Sequence, residues 1–120
     1  MEEKKVLIVE DELIISLLIE RMVGNLGHKV VGKVTSGEEA IEAARTYDPD
    51  IILMDIRLKG DIDGIQAMSR IREEKDIPVI YISGNTDKLN SNEVKPSDYI
   101  EFLSKPITFS ELSRSFSMAS

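Results

Sequence analysis

Two short apolar runs, each closed by acid, constrain this chain more than any other feature. Ile51-Ile52-Leu53-Met54 runs into Asp55, and Val6-Leu7-Ile8-Val9 runs into Glu10-Asp11-Glu12. An unbroken apolar run of this length between turn signals reads as a strand buried on both faces, as in a parallel sheet. In open α/β sheets, ligands collect at the carboxyl ends of the strands. The acids that close these runs therefore stand where chemistry is expected rather than packing.

The rest of the chain alternates in the same way. Leu13 to Leu26 has helical periodicity, with Ile14, Leu17, Leu18, Met22 and Leu26 on one stripe and Gly27 as the stop. His28 to Val34 reads as a short strand, and Ser36-Gly37-Glu38-Glu39 as the cap of a second helix that carries Ala40, Ile41 and Ala44 inward and closes before Pro49. A third helix is expected from about Ile65 to Lys75, with Ile65, Met68 and Ile71 on one face. Pro78 leads into a buried strand, Val79 to Ile82, that ends at Ser83-Gly84. Ile100 to Leu103 is a last short strand, followed by Ser104-Lys105-Pro106. The tail from Thr108 places Phe109, Leu112 and Phe116 at helical spacing. Five alternations of strand and helix predict a doubly wound α/β fold, a five-stranded parallel sheet with helices on both faces. From Asn85 to Asp98 only Leu89 and Val94 are apolar, and Pro96 interrupts, so the fourth helix is expected to be short or irregular.

Composition removes several classes of function. The chain has 120 residues, the size of one domain, and residues 1–120 are read as a single unit. With no cysteine and one histidine, it has no thiol chemistry and no multi-histidine zinc site. His28, just past a helix stop, is read as a surface residue without a role. A net charge of −7 argues against direct nucleic acid binding and agrees with a divalent cation. No apolar stretch approaches the roughly 20 residues that cross a bilayer, and the start lacks the pattern of a signal peptide. A cytoplasmic protein without membrane insertion is expected.

In a parallel sheet all strands end at one edge. That brings together Glu10, Asp11, Asp55, Ser83 and Lys105. Three close carboxylates cannot all stay ionised without a cation, and hard oxygen ligands with room for water suit Mg²⁺. An ammonium and a hydroxyl suit an anion. The set describes phosphoryl transfer to a carboxylate. Taken singly, Asp55, Glu10 and Asp11 could be helix caps, Lys105 a solvated lysine and Phe102 an ordinary core aromatic. Asp61 and Asp63 are read as solvated or turn-forming.

The ordered set Val9-Glu10-Asp11-Glu12, Leu53-Met54-Asp55-Ile56, Asp63-Gly64, Ser83-Gly84 and Phe102-Leu103-Ser104-Lys105-Pro106 resembles the receiver domain of response regulators in two-component signalling, of the chemotaxis-regulator-like type. The resemblance implies the flavodoxin-like strand order 2-1-3-4-5. It implies that Asp55 accepts a phosphoryl group from a histidine kinase or phosphotransfer protein. Mg²⁺ would be held by Asp11, Asp55 and the backbone carbonyl of Arg57, with Glu10 acting mainly through water. Lys105 would pair with phosphoryl oxygens, before a cis bond to Pro106. Ser83 and Phe102 match the switch hydroxyl and the switch aromatic, and Arg57 and Asn85 the positions that tune dephosphorylation. The loop Leu58-Lys59-Gly60-Asp61-Ile62 is longer than in many receivers and resembles a subgroup with an Asp-Ile-Arg-Leu-Lys-Gly signature. Such a protein is not a conventional enzyme. It acts on an unidentified downstream protein, and by analogy a phosphorylation-dependent homodimer is open to it.

Three other readings stand beside this one. An aspartyl phosphatase of the haloacid-dehalogenase type wants a second Asp where Arg57 stands. A flavin binder wants a phosphate loop after the first strand, which is missing. A degenerate receiver would bind partners without phosphorylation.

Overall fold

The computed structural model describes residues 2–84 and 99–119. Its elements in order are β1 (Lys5–Val9), α1 (Leu13–Asn25), β2 (Lys29–Val34), α2 (Gly37–Tyr47), β3 (Ile51–Asp55), α3 (Gly64–Arg72), β4 (Val79–Ser83), β5 (Glu101–Ser104) and α4 (Phe109–Met118). All strand pairs are parallel, and the sheet order is β2-β1-β3-β4-β5. The doubly wound sheet and its strand order are as expected. The expected irregular helix from Asn85 to Asp98 lies outside the described residues.

Each apolar run serves two cores because successive strand residues face opposite sides. Leu7, Val9, Ile52 and Met54 pack on one face with Ala40 and Ala44 of α2 and with Ala67, Met68 and Ile71 of α3. Val6, Ile8, Ile51 and Leu53 pack on the other with Ile19 and Val23 of α1 and with Leu112 and Phe116 of α4. Burying one such aliphatic side chain contributes about 2 kcal/mol. The alternation in facing explains why Val6 to Val9 and Ile51 to Met54 are unbroken apolar runs.

Helix ends follow local chemistry. Ser36 accepts the Glu39 N–H, Asp63 and Gln66 form a reciprocal cap on α3, and Thr108 and Glu111 do the same on α4. Asp63, expected to be solvated or turn-forming, is the N-cap of α3. Gly27, at φ +91°, stops α1 in a conformation that L side chains rarely adopt. Among the described residues no helix is long and apolar enough to cross a membrane.

Three expectations are corrected. The buried residues of α1 are Ser16, Ile19 and Val23, and Met22 and Leu26 of the expected stripe pack against the core beside them, whereas Ile14, Leu17 and Leu18 are 74%, 48% and 51% exposed. Leu13-Ile14-Ile15 and Leu17-Leu18-Ile19 are apolar all round the helix, so two stripes competed and periodicity alone could not choose between them. Phe109 points outward, and Leu112 and Phe116 carry the core contact of α4. His28 is buried rather than superficial. Its ring stacks on Phe116 with centroids 4.9 Å apart, and its Nδ1 accepts the Lys4 N–H at 3.0 Å. Burial, helped by the Lys4 charge, holds the imidazole below its usual pKa.

Candidate functional site

The carboxyl ends of β1, β3, β4 and β5 meet at one edge, and the residues that close them form a pocket. Asp55 is 2% exposed and Glu10 1% exposed. Glu10, Asp11 and Asp55 each offer a carboxylate oxygen within 4.8 Å of the others. The Lys105 ammonium enters from β5, 3.2 Å from Asp55 Oδ2 and 2.9 Å from Glu10 Oε1. It donates to Glu10 Oε2 at 3.2 Å, while Oε1 has no hydrogen-bond partner of good geometry. Glu10 Oε2 also accepts the Glu12 N–H at 3.1 Å. Glu12, the N-cap of α1, makes no side-chain cap of its own, and its N–H is taken by Glu10, which thus serves the helix entry as well as the pocket. The Lys105–Pro106 bond is cis, as expected.

Backbone pairing sets this convergence. Ile56 N–H bonds the Ile82 carbonyl at 3.0 Å, which fixes the exit of β3 beside the end of β4. Lys105 N–H bonds the Ser83 carbonyl at 2.9 Å, which ties the lysine to the same strand end. Ser83 is half-buried there. Arg57 donates its N–H to Asp55 Oδ1 at 3.3 Å, so the Arg57 backbone folds back over the acceptor while its side chain is exposed. Phe102 lies half-buried on the α3 side of the sheet, stacked on Tyr81 at 5.1 Å and edge-on to Tyr99 at 4.2 Å. Asn85 lies outside the described residues.

Gly64 is a further residue of the site whose importance spacing alone did not reveal. A side chain there would collide with the Asp55 carbonyl oxygen and lie 2.8 Å from Met54 Cγ. Its N–H bonds the Ile56 carbonyl at 2.8 Å. The start of α3 is thus seated directly on the backbone of the acidic strand end, an approach only glycine permits.

The electrostatics are unbalanced. Among the described residues, three carboxylates face one ammonium. Like charges about 5 Å apart repel by roughly 3 kcal/mol per pair at an effective dielectric constant near 20. Burial first, and then the Glu10 charge, push the Asp55 carboxyl up to about 7 against the opposing pull of Lys105. Burial works to lower the Lys105 pKa, but its hydrogen bond to Glu10 and the charges of Asp55 and Glu10 outweigh that and leave it raised. A divalent cation fits this donor set: the oxygens are hard, closely grouped and short of positive charge.

A raised carboxyl pKa has a definite sign in stability. Between 3.8 and about 7 the folded chain retains a proton that the unfolded chain has released. Stability without metal therefore falls as pH rises through that window. Asp55→Asn should stabilise the metal-free protein by about 2 kcal/mol above the upper end of the window. The gain should shrink toward the lower end, as read by urea unfolding across pH. Equal stability of the two proteins at both ends would show that Asp55 is not under this strain.

Known proteins resemble this chain in sequence and in fold. Residues 6–117 match the family described as the response regulator receiver domain. The chain is 29% identical over 109 residues to the transcriptional regulatory protein PdtaR of Mycobacterium tuberculosis, covering 91% of this chain and 53% of that protein. It is 34% identical over 103 residues to the transcriptional regulatory protein YvrH of Bacillus subtilis, covering 83% and 43%. The chain thus spans about half the length of these curated relatives. Among solved structures, the signal receiver domain of a modulated diguanylate cyclase from Desulfovibrio desulfuricans G20 matches with a TM-score of 0.89 at 33% identity, over 98% of this chain and 94% of that one. The receiver domain of the PhyR response regulator from Erythrobacter litoralis matches with a TM-score of 0.87 at 33% identity, over 99% and 91%. The chain belongs to the response regulator receiver domain family of two-component systems.

Proposed function

We propose that residues 1–120 form one receiver domain that takes a phosphoryl group onto Asp55 from the phosphohistidine of a histidine kinase or phosphotransfer protein. The observation that carries this reading is the buried Asp55 carboxylate between Glu10 and the Lys105 ammonium, short of positive charge. In the step, an Asp55 oxygen bonds to phosphorus as the donor's P–N bond breaks, and the P–N electron pair returns to the imidazole. Lys105, already 3.2 Å from Asp55 Oδ2, pairs with the phosphoryl oxygens, and the Ser83 hydroxyl donates to one of them. Mg²⁺ held by Asp11, Asp55 and the Arg57 carbonyl, with Glu10 behind them, would neutralise the carboxylates and keep Asp55 ionised as the nucleophile.

The switch follows from the same contacts. Drawing Ser83 toward a phosphoryl group changes the space beside β5, and Phe102, held by Tyr81 and Tyr99, is the side chain placed to respond. A downstream protein would read that face. Arg57, over the acceptor, is placed to govern access of water to the phosphoryl group. The only covalent chemistry in this reading is gain and loss of that group at Asp55, and a cytoplasmic site of action goes with a kinase partner.

The donor's seat is the exposed apolar face of α1. Leu18 lines a groove of about 260 Å³ together with Ile15, Met22, Pro106, Ile107 and Lys105, and on its other side Leu18 joins the exposed Ile14 and Leu17. Because Lys105 also touches Asp55, a helical donor surface in this groove lies beside the reacting atoms.

Intact mass after incubation with acetyl phosphate and Mg²⁺ should rise by one phosphoryl group in the wild type. Asp55→Asn and chelation of the metal should each abolish the gain. A folded, Mg²⁺-binding protein that gains nothing would move the reading to a phosphorylation-independent binding module. With a phosphorylated kinase as donor, the double variant Ile14→Ser, Leu18→Ser should lose about tenfold in rate relative to acetyl phosphate as donor. Equal slowing with both donors would place the effect in the pocket and not in docking.

A further inference from the structure

The long loop between β3 and α3 is held by a neighbour that the phosphoryl chemistry does not use. Residues 59–62 lie along the start of α2, contact by contact. Lys59 forms a parallel bridge with Ser36. Asp61 donates its N–H to Glu38 Oε2 at 3.1 Å. Gly60, at φ +104°, lies so close beneath the same carboxylate that a Cβ would stand 2.8 Å from Oε1. Ile62 is buried against Gly37, where a Cβ would stand 2.7 Å from its Cγ1.

The two acids that open α2 divide their work. Glu39 is committed to the helix end, accepting the Thr35 N–H and hydroxyl, each at 2.9 Å. Glu38 reaches away from its own helix to the loop. The other limb of the loop, Ile56 to Leu58, leaves the acceptor strand and folds back through the Arg57 N–H on Asp55 Oδ1. The Arg57 carbonyl, the backbone ligand of the proposed metal site, therefore sits on a span fixed at one end by β3 and at the other by the Lys59–Ser36 bridge together with the hold of Glu38 on Asp61.

The geometry points to Glu38 as a positioning residue: by holding the Asp61 N–H above Gly60 it fixes the limb that presents the Arg57 carbonyl, and so sets Mg²⁺ affinity and the rate of phosphoryl uptake at Asp55. This rests on the phospho-acceptor reading and adds a residue to it. The mechanism is conformational. A flexible loop must lose backbone freedom each time its carbonyl engages a cation, and a loop already held has less to lose. The interaction needs an acceptor oxygen at residue 38, not a charge.

That distinction provides the test. Mg²⁺ affinity is measured by titration calorimetry for the wild type, Glu38→Ala, Glu38→Gln and Glu39→Ala, alongside acetyl phosphate uptake at low and saturating Mg²⁺. Glu38→Ala should weaken Mg²⁺ binding about fivefold, the scale of one lost hydrogen bond. It should slow uptake by a similar factor at low Mg²⁺, with the deficit closing at saturation. Glu38→Gln keeps an acceptor oxygen and should stay within about twofold of the wild type. Glu39→Ala should lower the melting temperature through the cap and leave Mg²⁺ affinity unchanged. The proposal is overturned if Glu38→Ala binds Mg²⁺ like the wild type. It is equally overturned if Gln is as weak as Ala, which would make the effect one of charge, or if Glu39→Ala weakens binding as much, which would make it general loosening of α2. A wild type that binds Mg²⁺ but takes up no phosphoryl group removes the acceptor reading and leaves the calorimetry to decide on Glu38. A wild type that binds no Mg²⁺ removes both.

Discussion

The structure depends on an electrostatic arrangement that its own residues do not balance. Among the described residues, Glu10, Asp11 and Asp55 are gathered at one sheet edge with a single ammonium between them. Two of the three acids are almost fully buried, so water cannot screen them. Such a cluster costs stability in the free protein and is relieved by whatever brings positive charge. The same strain makes the site receptive to a cation and, with the cation, to a phosphoryl group.

The fold is what allows the strain to persist. Parallel pairing forces the carboxyl ends of the strands to one side, and the apolar runs before each acid are buried in two cores at once. Moving Asp55 away would require β3 to leave the sheet, with Ile51 to Met54 exposed in the process. Gly64 closes the arrangement from the helix side, since no larger residue could let α3 rest on the Asp55 carbonyl. Local strain held in place by a well-packed surround is the usual condition of a functional site.

The sequence made much of this legible because the chemistry and the fold share the same residues. An apolar run closed by a polar group names both the buried strand and the group at its end, and four such ends, two of them acidic, recovered Glu10, Asp55, Ser83 and Lys105 together. What escaped has a common cause. In α1 the residues Leu13, Ile14, Leu17 and Leu18 are as apolar as the buried Ile19 and Val23, so periodicity cannot say which face meets the sheet and which remains outside. His28 is buried only because α4, nearly ninety residues later, brings Phe116 against it. Glu38 and Asp61 meet across a gap that no local pattern marks, although Gly60 at a left-handed position hints that the loop is tightly held. Long-range partnership, not local propensity, decides each of these.

The most direct measurement is the titration of the Asp55 carboxyl carbon by nuclear magnetic resonance, without and with Mg²⁺. The account predicts that without metal Asp55 titrates far above the ordinary carboxyl value of 3.8, near about 7, and that Mg²⁺ drives it back toward or below the ordinary value. A carboxyl that titrates normally in the metal-free protein, with no response to Mg²⁺, would contradict the claim that strain among these acids underlies the site.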